Sequence, residues 1–404
     1  MHEVYTYSNA SPSRITPEGT LADLRVAVQP NLAVRGWPCE AGSRALSGYT
    51  ALQDATVVAR LVKAGAVLSG SSRMAELGFG LAGDTSARTL VDGHADVALI
   101  TDTMGEVRLA AAGSGLFGLK PTHGLVSRHG LAGLVPSMES IGLAAADPRM
   151  IAEILAVMAG ADPDDPSMPD DCTAGFSAAP PSGTESLTAG VIEESLSSLD
   201  PEERLAFDAG TACLETAGVT IQTVNLADYG LFKDVHHLIA AVEASSSAGK
   251  FDGVRYGHRS AVGKNWNDMY LNTRAESFGP LLKPFLFQGA YFQFERYLAF
   301  ENACRLRCRL VRAVDDLLGK VDILVLPTRR PASDPAQAAT IQATYAVFAL
   351  TLPASVTGHP ALQVPNPGVA ADRDTGLQLI GRRLDDGRLL AIGQHLSSAA
   401  REGR

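Results

Sequence analysis

The chain has 404 residues, 46% of them hydrophobic and 19% charged, with a formal net charge of −10. That is enough apolar material for one large core or two ordinary ones, and the acidic balance argues against direct nucleic-acid binding. No apolar run reaches the ~18–20 residues that span a bilayer, and the start MHEVYTYSNASPSR has no charged segment leading into an apolar one. Five cysteines in no metal-like cluster fit a reducing cytosol, so the expectation is a cytoplasmic protein without membrane contact, metal or cofactor.

LRVAV (24–28) reads as a short buried strand. Over 52–64, Leu52, Ala55, Val58 and Val62 fall on one helical stripe that stops at Gly65, and AVL (66–68) follows as a strand. ADVALIT (95–101) is the next apolar run, and 150–159 is helical. Strands recur at 190–192 and 219–224, on either side of a helix over 201–217 that opens with acidic residues. A long helical pattern from about 289 to 318 carries Cys304 and Cys308 one turn apart, read as thiols rather than a zinc site because two ligands do not make one. VDILVLP (321–327), ALQVP (361–365) and GLQLIG (376–381) read as strands, and a last helix covers 388–398. Strands alternating with helices predict an α/β architecture, a mixed β-sheet sandwiched between helical layers. The Ser/Pro/Ala-rich stretch 177–185 and the Pro/Ala-rich stretch 330–339 read as surface loops.

The most informative segment is TDTMGEVRLAAAGSGLFGLKPTHGLVSR (101–128). It resembles the amidase-signature family, whose members read G-T-D-T-G-G-S-I-R followed by G-L-K-P-T-x-G-x-V-S-R. Thr101, Asp102, Thr103, Gly105, Arg108 and the run from Gly118 to Thr122 match. The similarity extends from about residue 24 to 398, giving an expected N-terminal extension over 1–23 and a single domain with the amidase-signature fold over 24–404. EASSSAGKFDGVRYGHRS (243–260), DMYLNTRAESFG (268–279) and ENACRLRCRLV (301–311) look like the A-type subunit of glutamyl-tRNA(Gln) amidotransferase, which hydrolyses glutamine and passes ammonia to a tRNA-binding partner.

Where the chain departs from that pattern, the resemblance makes specific demands. Glu106 stands at the nucleophilic serine, Ser71 at the catalytic lysine, and Ala82 at the second serine, with Thr85 or Ser86 as replacements under a shifted alignment. Arg73, two positions beyond Ser71, cannot stand in for the lysine as a base, since a guanidinium stays protonated. Met104 replaces a glycine beside the oxyanion hole, where a positive φ would distort the loop. Asp102 and Lys120 match scaffold positions. On the substrate side the resemblance implies Arg307 for a carboxylate, with Tyr256 and Thr103 nearby and Phe348 where the family has an acid for an α-ammonium.

A carboxylate buried at a pocket floor has a raised pKa and suits general acid/base work. The expectation drawn from these changes is a fold repurposed for lyase-, cyclase- or isomerase-type chemistry through Glu106, on a small carboxylate or amide. Two alternatives stay open: a catalytically inactive protein that binds a ligand or completes a complex, and an amidase or amidotransferase with an unrecognised nucleophile. The resemblance also leaves open a homodimer or a hetero-complex.

Overall fold

Short runs of branched and aliphatic residues, separated by helices, build a single sheet whose central strands are covered on both faces, while its edge strands are partly exposed. The computed structural model describes residues 4–9, 19–169, 176–177, 187–330, 337–366 and 369–402. Among these, the strands are β1 (Tyr5–Ser8), β2 (Arg25–Val28), β3 (Val67–Ser72), β4 (Val97–Asp102), β5 (Phe117–Lys120) and β6 (Ser140–Ala145), then β7 (Thr188–Ile192), β8 (Thr220–Val224), β9 (Ile323–Pro327), β10 (Ala361–Val364) and β11 (Leu377–Ile380). They lie in the order β1-β3-β2-β4-β6-β5-β10-β11-β9-β7-β8. β2 runs parallel to β3 and β4, and β7 runs parallel to β8 and β9. The pairings from β4 through β6, β5, β10 and β11 to β9 are antiparallel, so the sheet is mixed, as expected.

β9 shows why the sheet is buried on both sides. Ile323 and Val325 face one core, Leu324 and Leu326 the other, so its sequence is a continuous apolar run rather than an alternation. The first core is closed by α1 (Thr56–Lys63), α4 (Pro148–Met158) and α6 (Pro201–Thr216), and by α13 (Asp386–Glu402) from the end of the chain. The second is closed by α7 (Leu231–Ser247), α9 (Leu282–Phe294), α10 (Tyr297–Leu318), α11 (Ile341–Phe348) and α12 (Leu352–Thr357). A third, smaller cluster packs α2 (Ser86–Val91) and α3 (Glu106–Ala112) onto Ala27, Ala98 and Ile100 of β2 and β4. The short α5 (Glu193–Leu196) follows β7, and α8 (Trp266–Ser277) precedes α9.

Several boundaries differ from expectation for physical reasons. The helix read from residue 52 starts at Thr56, because Ala55 is extended and Leu52 projects into solvent, 83% exposed. The long helix read from 289 to 318 is two helices: at Arg296 the backbone leaves helical geometry (φ −134°, ψ 40°), and its guanidinium Nε turns back to the Tyr291 hydroxyl at 2.9 Å. Within the segment read as an extension, Tyr5–Ser8 pairs antiparallel with β3. Most of the loops read over 177–185 and 330–339, and part of that extension, lie outside the described residues.

Candidate active site

The site is built where β4 ends and α3 begins. Thr103, Met104 and Gly105 turn the chain between them. Gly105 takes a φ of 133°, and a Cβ there would lie 2.1 Å from the Thr351 hydroxyl, so only glycine fits. Met104 keeps an ordinary negative φ and is fully buried, so the distortion expected from it does not arise. Thr351 in turn donates its hydroxyl to the Met104 carbonyl at 2.5 Å.

Three successive N–H groups of this turn converge on one point. The backbone nitrogens of Thr103, Met104 and Gly105 donate to Oε2 of Glu106 at 2.7, 2.8 and 3.1 Å, and Gly80 N–H reaches Oε1 at 3.4 Å. Consecutive amides in a turn before a helix form an anion nest. Here the anion is the first residue of the helix itself. Burial pushes the Glu106 carboxyl up to about 7; the Asp102 charge adds to this, and the N–H donors oppose it.

Beneath the nest, a buried ion pair holds the loop. Arg108 Nε and Nη2 donate to the two Asp102 oxygens at 3.2 and 2.9 Å. Its remaining donors reach the Thr351 carbonyl, Gln378 Oε1 and the Ser355 hydroxyl at 2.8, 2.5 and 2.8 Å. Because Asp102 takes Arg108, Glu106 does not pair with it. Lys120 is buried nearby and donates to the Pro121 carbonyl at 2.9 Å; desolvation lowers its pKa to about 7.

Above the nest, His236 touches Thr103. Its Nε2 lies 3.2 Å from the Thr103 carbonyl and its Nδ1 lies 2.9 Å from the Tyr345 hydroxyl. A carbonyl only accepts, so Nε2 carries the proton and Nδ1 accepts from the phenol. Desolvation lowers the His236 pKa to about 3, keeping the ring neutral. His237, Phe285 and Phe79 continue this aromatic roof, with Phe79 and Phe285 stacked at 4.4 Å. None of these contacts was visible in the sequence, where His236 and Tyr345 are 109 residues apart and show no spacing.

A second polar chain lies behind β4. Gln29 accepts from Thr101 N–H at 2.8 Å and donates to Asp84 at 2.7 Å. Asp84 accepts from the Ser86 backbone N–H at 2.7 Å, and the Ser86 and Ser72 hydroxyls are 2.8 Å apart. Desolvation raises the Asp84 carboxyl to about 6 despite these donors, which include the Ser86 side chain. Thr85 is engaged elsewhere, donating to the Val4 carbonyl at 2.6 Å. Ser71 is buried on β3, beside this chain, whereas Ala82 and Arg73 are exposed.

The expected substrate residues are dispersed. Arg307, on α10, donates to the Val356 carbonyl and to the hydroxyl and carbonyl of Ser137 at 2.8, 2.8 and 2.7 Å. Glu243 accepts from Ser137 N–H at 3.0 Å and lies close enough to Arg307 to feel its charge. Tyr256 is half-buried against Tyr49, with ring centroids 5.3 Å apart. Phe348 is fully buried in the helical core.

Comparison with known proteins shows what the chain is similar to. The family model described as Amidase matches residues 3–93 and 86–390. The A-type subunit of glutamyl-tRNA(Gln) amidotransferase from Natronomonas pharaonis is 33% identical over 95% of this chain and 97% of its own length. The protein of the same name from Halobacterium salinarum is 32% identical over 91% and 93%. Among solved structures, the corresponding protein of Thermotoga maritima superposes with a TM-score of 0.79 at 24% identity, over 98% of this chain and 87% of that one, which shows the shared fold.

These findings overturn the expected lyase-, cyclase- or isomerase-type chemistry through Glu106. End-to-end similarity to amidotransferase subunits favours the amide-processing alternative. The geometry agrees, since both Glu106 oxygens are taken by backbone donors and the carboxylate serves the turn that holds it.

Proposed function

The chain belongs to the amidase-signature family, and from that premise we propose that it is an amide-processing protein resembling the A-type amidotransferase subunits. It works within a hetero-complex and takes its nucleophile from a position other than 106. The carrying observation is similarity across nearly the full length of both chains, including the loop that the Arg108–Asp102 pair braces. Acyl transfer needs a hydroxyl or thiol with a base in reach. The Ser72–Ser86 hydroxyl pair beside Asp84 supports that role, with a carboxyl near 6 suited to accept a proton at neutral pH. Both serines are buried, so their use requires the chain around them to open. On the substrate side, Arg307 spends three of its five N–H donors on protein acceptors, which leaves two for a substrate carboxylate.

The test is ammonia release from glutamine, asparagine and aryl amides, by the chain alone and with other amidotransferase subunits. Release that Ser86→Ala and Asp84→Asn each lower at least a hundredfold, with circular dichroism unchanged, is the expected result. The filled nest favours one further reading, a protein that completes the complex without hydrolysing. An oxyanion needs free donors, and Glu106 occupies them. A complex that assembles while the wild-type chain releases no ammonia would select that reading.

A further inference from the structure

α9 is apolar on both sides. Its sequence LKPFLFQGAYFQF holds one charged residue, Lys283. Leu282, Phe285, Leu286 and Gly289 are buried against the body of the protein. Phe287, Tyr291 and Phe294, spaced i, i+4, i+7, form a second stripe that is 76%, 47% and 76% exposed. A helix that is apolar all round is normally covered all round. The stripe is also not isolated. Of the twelve exposed large hydrophobic residues among those described, nine lie between Val254 and Leu298. A scattered exposed leucine needs no explanation, but a stripe of large aromatic side chains along one face of a helix marks an interaction site.

The patch has shape and charge as well. Leu271 of α8 and Phe287 of α9 line the same cavity, of about 490 Å³, whose only charged lining residues are Arg274 and Lys283. Between residues 254 and 298 there are six Lys or Arg against three Asp or Glu, in a chain whose overall charge is −10. A second copy docked about a two-fold axis would bring these cations onto their own equivalents, which is repulsive. A concave cavity also receives a protruding side chain, which a bilayer surface does not offer.

We propose that the α8–α9 groove docks an amphipathic helix of a different protein, with apolar anchors seated on Phe287, Tyr291 and Phe294 and acidic residues meeting Arg274 and Lys283. This deepens the hetero-complex reading by naming the surface and the partner's chemistry. Its test measures binding alone, so its failure is distinct from failure of the amide assay. The probes are two labelled helical peptides about five turns long, with identical leucine stripes and flanks of either glutamate or lysine, titrated by anisotropy into the full chain. The glutamate peptide is expected to bind at least tenfold tighter. Phe287→Ser with Phe294→Ser should weaken it at least tenfold, and Lys283→Glu should reverse the preference between peptides. Phe287 and Phe294 are each 76% exposed, so the melting temperature of that double variant should hold. Equal binding of both peptides, or binding indifferent to the Phe287→Ser change, would overturn the proposal. So would either of two other occupants whose binding Phe287→Ser abolishes: vesicles of phosphatidylcholine with phosphatidylglycerol, or a second copy detected by light scattering.

Discussion

Gly105 approaches Thr351 so closely that a Cβ on the glycine would sit 2.1 Å from the threonine hydroxyl and 2.3 Å from its Cβ. Gly105→Ala therefore adds overpacking to an unfavourable φ of 133°. The expected loss of stability is roughly 2–4 kcal/mol in urea unfolding. Gly36→Ala, also at positive φ but with nothing within 4 Å, should cost only about 1–2 kcal/mol. Equal losses at the two sites would show that Thr351 yields to the added methyl at no cost.

The Arg108–Asp102 pair is fully buried, and its arginine also holds Thr351, Ser355 and Gln378. Removing one member of such a pair strands a charge. Arg108→Met is expected to cost about 3–5 kcal/mol. Arg204→Met, at an exposed i,i+4 pair with Asp208, should cost at most about 0.5 kcal/mol. Chemical denaturation of both variants checks the contrast.

Glu106 gives a pH signature. Its folded pKa of about 7 lies above the ordinary 4.5, so the folded state holds the proton more tightly than the unfolded state. The resulting stability is fully present below about pH 4.5 and is lost as pH rises through about 7. Other buried acids also titrate, so the useful quantity is wild type minus Glu106→Gln. That difference should fall by roughly 1–3 kcal/mol between pH 4.5 and 8. A difference that rises with pH would mean the nest outweighs desolvation.

Tyr345→Phe removes the proton donor to His236 Nδ1 while keeping the ring. One buried ring nitrogen is left without a partner, at a cost of about 1–2 kcal/mol by thermal or urea unfolding. Because His236 Nε2 holds the Thr103 carbonyl, amide exchange at Thr103 should also speed up. Unchanged protection would place the two side chains outside the loop's support.

Much of the sheet was legible because both faces of its strands are apolar, as in Ile323–Pro327. β5 and β6 were not. FGLK and SIGLAA are short and rich in glycine and alanine, with little branched character. Their small residues have a packing cause that no local pattern reveals: a Cβ on Gly142 would lie 2.6 Å from the Val107 side chain. The loop at 101–108 was readable from its motif, but its state was not. A glutamate opening a helix looks the same in sequence whether it faces solvent or folds back onto three amides. The Ser72–Ser86–Asp84 chain was equally hidden, since Ser72 and Ser86 meet only once β3 and α2 are packed side by side.

Glu106 behaves as a ligand that never leaves. It is covalently attached within three residues of the three amides of the turn. Short flexible tethers already give effective concentrations in the millimolar range, and a side chain in one rotamer on a rigid helix exceeds that. Any external anion would compete against this local concentration, not against water, so acetate or formate at ordinary concentrations should leave the nest unchanged. Shortening the side chain would remove the competitor, leaving four oriented N–H groups with room for a small anion.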